Sequence, residues 1–300
     1  MTRGGMMDFN IELLLLALAP VFLGCVAWEA WYWAKRGRAD VYSWRDTLCN
    51  AALALLHQGA DKLAWLAVIP LYQYLYQQHR LFDLGHNWSH FVLLFLAQDF
   101  LYYWFHRASH RVRWLWAAHS VHHSSTRMNL STAFRQSLMY PLAGMWAFWL
   151  PLAWLGFAPQ LVVGVVLLNL AFQFFVHTQA IPKLGWLEYM FNTPSIHRSH
   201  HARNPCYVDR NYAGVLVIWD RLFGSYVAER DDTPCDYGTI KPVNSYNPLW
   251  VSVVEWRDML RETLAARSWR QRLTLLFGPP EMAERVAAQL TTQNSQRHTP

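Results

Sequence analysis

Residues 11–33 are almost continuously apolar, and four more apolar runs follow at about 51–75, 88–104, 138–155 and 158–176. About 20 apolar residues in a helix cross the hydrocarbon core of a bilayer. A chain carrying several such runs must satisfy its backbone hydrogen bonds inside helices. The pattern predicts an all-α, multi-pass membrane helical bundle of about four or five spans, with a polar part outside the bilayer. The first run reads as a span rather than a cleaved leader. Asp8 and Glu12 precede or open it, it outlasts a signal core, and it stops at Lys35, Arg36 and Arg38. The second is interrupted by His57, Gln58, Asp61 and Lys62, and the last two meet at Gly156-Phe157 as a helical hairpin.

Composition narrows the class. Hydrophobic residues make up 53% of the 300, while charged residues are only 15%, below the roughly 25% of an ordinary soluble domain. This excludes a disordered, collagen-like or coiled-coil chain and argues against a plain soluble enzyme. The net charge of +6 comes from Arg residues dispersed among Trp and Leu, not from the concentrated stripe that nucleic acid requires. No nucleic-acid partner is expected. Cys25, Cys49, Cys206 and Cys235 form no CxxC, and the chain has neither a Gly-rich phosphate loop nor GxSxG.

Loop charge sets an orientation. Lys35, Arg36, Arg38 and Arg45 follow the first run, and Arg107, Arg111, Arg113, Arg127 and Arg135 follow the third. The loop after the second has only Arg80, and the hairpin tip has no Lys or Arg. Five crossings satisfy this with the N-terminus outside and the last hundred residues in the cytosol. Three regions result: membrane spans over 1–98, a catalytic region over 99–230 that includes a membrane hairpin at 138–176, and a cytosolic tail over 231–300. In that tail Trp250, Val253, Val254, Met259, Leu260 and Leu264 recur at helical spacing among Arg257, Arg261 and Arg267. This suits an amphipathic helix on a membrane surface or packed on the domain.

The histidines carry the chemistry. His106 and His110 form HRASH, His119, His122 and His123 form HSVHH, and His197, His200 and His201 form HRSHH. Residues three and four apart share a helix face, so each cluster can grip an ion. Imidazole suits iron, copper, zinc and nickel. Eight imidazoles, or nine with His177 at the end of the fifth run, are too many for one ion; two ions sharing the set is the economical arrangement. His86 and His90 read as interfacial, His57 as paired with Asp61 at i+4, and His298 as idle. Ligating histidines usually donate their second N–H to a carboxylate or carbonyl. The candidates to orient them are Asp99, two turns before His106, and Asp209, Asn211 and Asp220. Two imidazole-bound metals at a membrane edge suit oxygen activation or metal-assisted hydrolysis. A di-zinc lipid hydrolase and a metal transporter are the rival readings.

HxxxH, HxxHH and a distant HxxHH resemble the pattern of the fatty acid hydroxylase/sterol desaturase superfamily. The stretches DFLYYWFHRASH, HSVHHSSTRMNLSTAFRQS, HTQAIPKLGWLEYMFNTPSIHRSHHARN and YVDRNYAGVLVIWDRLFGSY are similar to its alkylglycerol monooxygenase branch and bacterial relatives, over about 99–229. The resemblance implies a membrane-bound di-iron oxygenase that hydroxylates or desaturates a lipid C–H bond with O2. It also implies an external reductant, tetrahydrobiopterin or a redox protein. The family's metal ligands carry onto His106, His110, His119, His122, His123, His197, His200 and His201, with His177 as a ninth, and no catalytic side chain is implied beyond the metal centre. Arg111 and Thr126 depart from the branch, where acids are common, as does Ile196, where a histidine is common.

Overall fold

The computed structural model describes residues 11–85 and 87–297; Asp8, His86 and His298, all singled out above, lie outside them. Twelve helices are found among the described residues: α1 (Ile11–Lys35), α2 (Trp44–His79), α3 (Trp88–Arg111), α4 (Arg113–His123), α5 (Tyr140–Ala143), α6 (Leu150–Leu155), α7 (Pro159–Val176), α8 (Pro194–His200), α9 (Ile218–Leu222), α10 (Pro248–Ala265), α11 (Trp269–Phe277) and α12 (Pro280–Arg297). No strand forms among them, only three isolated bridges such as Phe191 with Leu216. The expected all-α architecture is therefore observed.

The polar residues of the second run do not break it. α2 continues through His57 and Asp61, which meet at 3.4 Å as their i+4 spacing predicts. α3 opens on Asn87, whose side chain accepts from the His90 amide at 2.9 Å and so satisfies one of the free N–H groups of a first turn. α4 follows after the single residue Val112.

The expected helix over 138–155 is not one helix. Gly144 sits at φ +80° and breaks the run into α5, a 3-10 turn at Met145–Trp149, and α6. The continuous piece over Met145–Leu155 is 11 residues, about 16 Å at 1.5 Å per residue, roughly half a bilayer core. Among the described residues one helix, Pro159–Val176, is long and apolar enough to cross a membrane. The hairpin itself is present. Gly156, at φ +115°, ends α6, and the ideal Cβ position there lies 2.0 Å from the Phe82 carbonyl oxygen. That approach lets Leu81 N donate to Trp154 O at 2.8 Å, joining the loop after α2 to the hairpin tip.

Two packed regions, both touched by Phe105 and Phe148, make up most of the helical core. In one, Tyr72, Leu94, Trp149, Leu152, Val162 and Val165 join α2, α3, α6 and α7. In the other, Leu115, Ala118, Met145, Trp256 and Met259 join α4 to α10, with the Trp114 and Trp256 rings 4.7 Å apart. α10 thus packs on the domain through Val251, Trp256 and Met259, whereas Trp250, Leu260 and Leu264 of the expected apolar stripe are exposed.

Candidate metal centre

Nine buried imidazoles from four parts of the chain meet inside the helical body. The last turns of α3 carry His106 and His110, and α4 carries His119, His122 and His123. His177 caps α7, while α8 supplies His197 and His200 and ends on His201. They form two adjoining groups. His106, His110, His119, His123 and His200 make one; His122, His177, His197 and His201 make the other. Within each group one ligand atom per residue lies within 4.8 Å of all the others. Metal–imidazole bonds of about 2.1 Å keep ligating nitrogens within about 3–4 Å of one another, so small inward movements would close either group on an ion.

Each HxxHH is divided in the same way. His119 and His123, four apart, enter the first group while His122 turns to the second; His197 and His201 enter the second while His200 turns to the first. Consecutive helical residues are about 100° apart around the axis, so a neighbouring pair at i+3 and i+4 must diverge. The two helices thereby cross-brace the two groups, and the His123 and His201 rings stack with centroids 4.4 Å apart.

The outer nitrogens fix the tautomers. A backbone carbonyl only accepts, so Nδ1–H donates from His106 to Tyr212 O (3.0 Å), from His122 to Arg135 O (3.2 Å), from His177 to Gln173 O (2.6 Å) and from His200 to Arg210 O (2.9 Å). Their Nε2 atoms therefore present lone pairs in the neutral form. Burial, ahead of the other contributions, holds His106, His119, His122, His123, His197, His200 and His201 well below the ordinary imidazole value and His177 down to about 4. Neutral rings are what a cation needs as ligands. His110 Nε2 and His200 Nε2 are buried without a hydrogen-bond partner. Orphaned, inward lone pairs in a carboxylate-poor nest are the donor set of a transition-metal pair, and the residues fit one.

The supports behind the rings come largely from one loop. Asp209 and Asn211 take positive φ, 58° and 59°, a conformation Asn and Asp tolerate better than most residues. The intervening and following carbonyls, Arg210 O and Tyr212 O, are thereby aimed at His200 and His106. Asp209 itself lies 3.5 Å from His110 Nδ1 and 2.6 Å from Arg111 Nη1. Burial raises its carboxyl, but His110 and Arg111 outweigh that and hold it below the ordinary range. Asn211 takes no ring. Its amide donates to Ser199 Oγ and Val227 O, tying the loop to α8. Asp220 accepts from the Tyr212 and Ala213 amides, both at 2.8 Å, and so braces the carbonyl that holds His106. Asp99 touches no histidine. It accepts from Val215 N, Leu216 N, Trp219 Nε1 and Asn169 Nδ2, joining α3 to α7 and to the far end of the same loop.

Other supports were not anticipated. Asn169, Gln173 and His177 repeat at four-residue intervals along α7. Gln173 Nε2 donates to Asn169 Oδ1 at 2.6 Å, and Tyr102 OH donates to Gln173 Oε1 at 2.8 Å. That polar i+4 series inside an apolar run was a readable signal. Gly214 crosses this ladder so closely that the ideal Cβ position lies 2.7 Å from Asn169 Oδ1 and 2.8 Å from Tyr102 Cδ1. Arg135, whose carbonyl takes His122, has its guanidinium on Asp46, Asn50 and Ser124. Glu29, fully buried in α1, accepts from Tyr42 OH, Leu130 N and Thr178 Oγ1, the last adjacent to His177.

Comparison with known proteins adds an independent finding. Residues 91–225 match the family model for fatty acid hydroxylase. The chain is 46% identical over 247 residues to alkylglycerol monooxygenase of Homo sapiens, covering 81% of this chain and 53% of that protein. Against alkylglycerol monooxygenase of Xenopus tropicalis the identity is 40%, over 71% of this chain and 47% of the relative. It is also 26% identical to an ornithine lipid hydroxylase of Rhizobium tropici, over 74% of this chain and 71% of that protein. The chain thus spans about half the length of the alkylglycerol monooxygenases it matches. No solved structure matches it.

Proposed function

We propose, from the match of residues 91–225 to the fatty acid hydroxylase family model, that the chain is a membrane-bound lipid oxygenase, hydroxylating or desaturating a C–H bond with O2 and an external reductant. The observation that carries this reading is the paired nest of imidazoles, five and four, with orphaned Nε2 atoms directed inward. His106, His110, His119, His123 and His200 would hold one iron, and His122, His177, His197 and His201 the other. When bound, the iron pair would supply the redox chemistry that activates O2 and breaks an unreactive C–H bond. The protein's own part is to fix the rings through carbonyls and Asp209, to keep the nest dry, and to position a lipid carbon beside it.

The alkylglycerol and ornithine-lipid relatives are named for lipid substrates, which supports a lipid for this chain. The donor would be a reduced pterin such as tetrahydrobiopterin, or a redox protein, since the chain has no evident electron carrier. We place the spans, four or five in number, so that the centre lies at the cytosolic face. The contact of the 80–82 loop with the hairpin tip, at the far end of α7 from His177, supports that arrangement.

The test is turnover by purified, iron-loaded protein in lipid nanodiscs with a chemical reductant. Product formation should need both O2 and reductant. Lipid conversion that proceeds unchanged without O2, in protein holding zinc alone, would replace this reading with metal-assisted hydrolysis.

A further inference from the structure

Beyond the metal centre, the surface just after α7 is unusually apolar. In the turn at Gly185–Tyr189 and at the next residue, Trp186 is 74% exposed, Tyr189 70% and Met190 50%. Leu222 of α9 is 69% exposed. These residues belong to one surface: Val217 N donates to Met190 O at 2.9 Å, and Arg221 reaches Glu188 O at 2.9 Å. Single exposed apolar side chains are ordinary, but a contiguous patch of this kind marks an interaction surface.

Its depth identifies the occupant. Trp219 of α9 donates through Nε1 to Asp99 at 2.9 Å, and its ring lies 5.1 Å from that of Phe100. α9 is therefore docked on α3 inside the apolar run 88–104. Asp99 is five residues before Trp104, about 7 Å along the axis at 1.5 Å per residue. That matches the roughly 5–10 Å to which interfacial helices bury their apolar faces. The chemistry agrees. Trp and Tyr favour the headgroup boundary, and the Arg221 guanidinium lies over the Tyr226 and Tyr189 rings, 3.8 and 4.8 Å from their centroids, where a cation can meet lipid phosphate.

We infer that the Gly185–Tyr189 turn and α9 form a non-spanning collar that dips into the same bilayer as α7, with Trp186, Tyr189, Met190 and Leu222 among the lipid. The inference rests on the membrane reading of α3 and α7 and adds a segment that loop charge and apolar run length assign to the aqueous side. The collar seats the nest beside the headgroups, because its turn lies between His177 and His197 in the chain.

Site-directed spin labelling in nanodiscs tests this. Trp186→Cys and Leu222→Cys are labelled singly, in full-length protein whose four native cysteines are replaced by Ser and whose metal content matches the parent. Leu168→Cys on α7 is the lipid reference, and Asp231→Cys, with an almost fully exposed side chain, is the water reference. Labels at 186 and 222 should follow 168, with relaxation enhanced by O2 and little affected by a water-soluble nickel complex. Labels at 186 and 222 that follow 231, with 168 still in lipid, would overturn the collar and leave the membrane reading intact. Water exposure at 168 as well would overturn both. Shielding of 186 and 222 from both reagents would show a protein contact in place of lipid and overturn the collar.

Discussion

His122 Nε2 and His177 Nε2 stand 3.1 Å apart, and each ring has its Nδ1–H committed to a backbone carbonyl. Two neutral imidazoles so arranged oppose lone pair to lone pair. Buried and unable to rotate without breaking their anchors, they would be relieved by a shared cation.

Removing one of these rings should therefore take metal and activity together without unfolding the chain. In His122→Ala, the second group falls to three ligands while the first keeps five. Elemental analysis should show about half the parent metal, with lipid oxidation lost and membrane insertion retained. His200→Ala should act in the same way from the first group. Activity retained in both variants would mean that the clusters are not ligands.

Asp209→Asn removes the carboxylate behind His110 while keeping its size. Loss of such an orienting partner typically costs about 10–100-fold in metal affinity or activity, to be read by competition with a chelator. The pH dependence follows from the lowered carboxyl value. Its contribution to stability is present above the unfolded value of about 3.9 and is lost as pH falls through the lower folded one. Parent and variant melting curves should converge in acid; a gap unchanged down to the lowest accessible pH would contradict this.

Gly214→Ala tests the close passage of the 209–217 loop over the ladder. The added methyl would enter the space of the Asn169 amide and the Tyr102 ring, and overpacking of this kind costs on the order of 1–3 kcal/mol. A lower midpoint of thermal unfolding and weaker metal retention are expected together, since Gln173 of that ladder anchors His177.

Asp46→Ala leaves the Arg135 guanidinium buried beside Asn50 without its 3.3 Å carboxylate partner. Breaking a buried pair from one side costs about 3–5 kcal/mol. The Arg135 carbonyl also holds His122, so the variant should melt earlier and lose metal from the second group first. A stability equal to the parent would contradict the role given to this pair.

The clustering of the nine histidines was legible because a shared metal would impose a side-chain type at helical spacing, and HRASH, HSVHH and HRSHH carry both in plain sight. How they divide was less so: turning i+3 and i+4 rings toward different groups depends on where the partner helix lies. Most supports are carbonyls, at Arg135, Gln173, Arg210 and Tyr212, and a carbonyl leaves no mark on residue identity. Asp209 was legible as an acid near an HxxHH, whereas Asp99, equally acidic and two turns from His106, braces a backbone loop instead. The broken helix over 138–155 had its signal in Pro141, Gly144 and Pro151, which apolar content outweighed. Glu29, an acid well inside the apolar run of α1, was a comparable signal.

Counting metals in the purified parent protein addresses the paired nest most directly. After expression with ample iron and removal of loosely held ions, elemental analysis should give two irons per chain. A preparation that is folded, with the nine histidines of the nest intact, yet holds no metal or saturates at a single ion would contradict it.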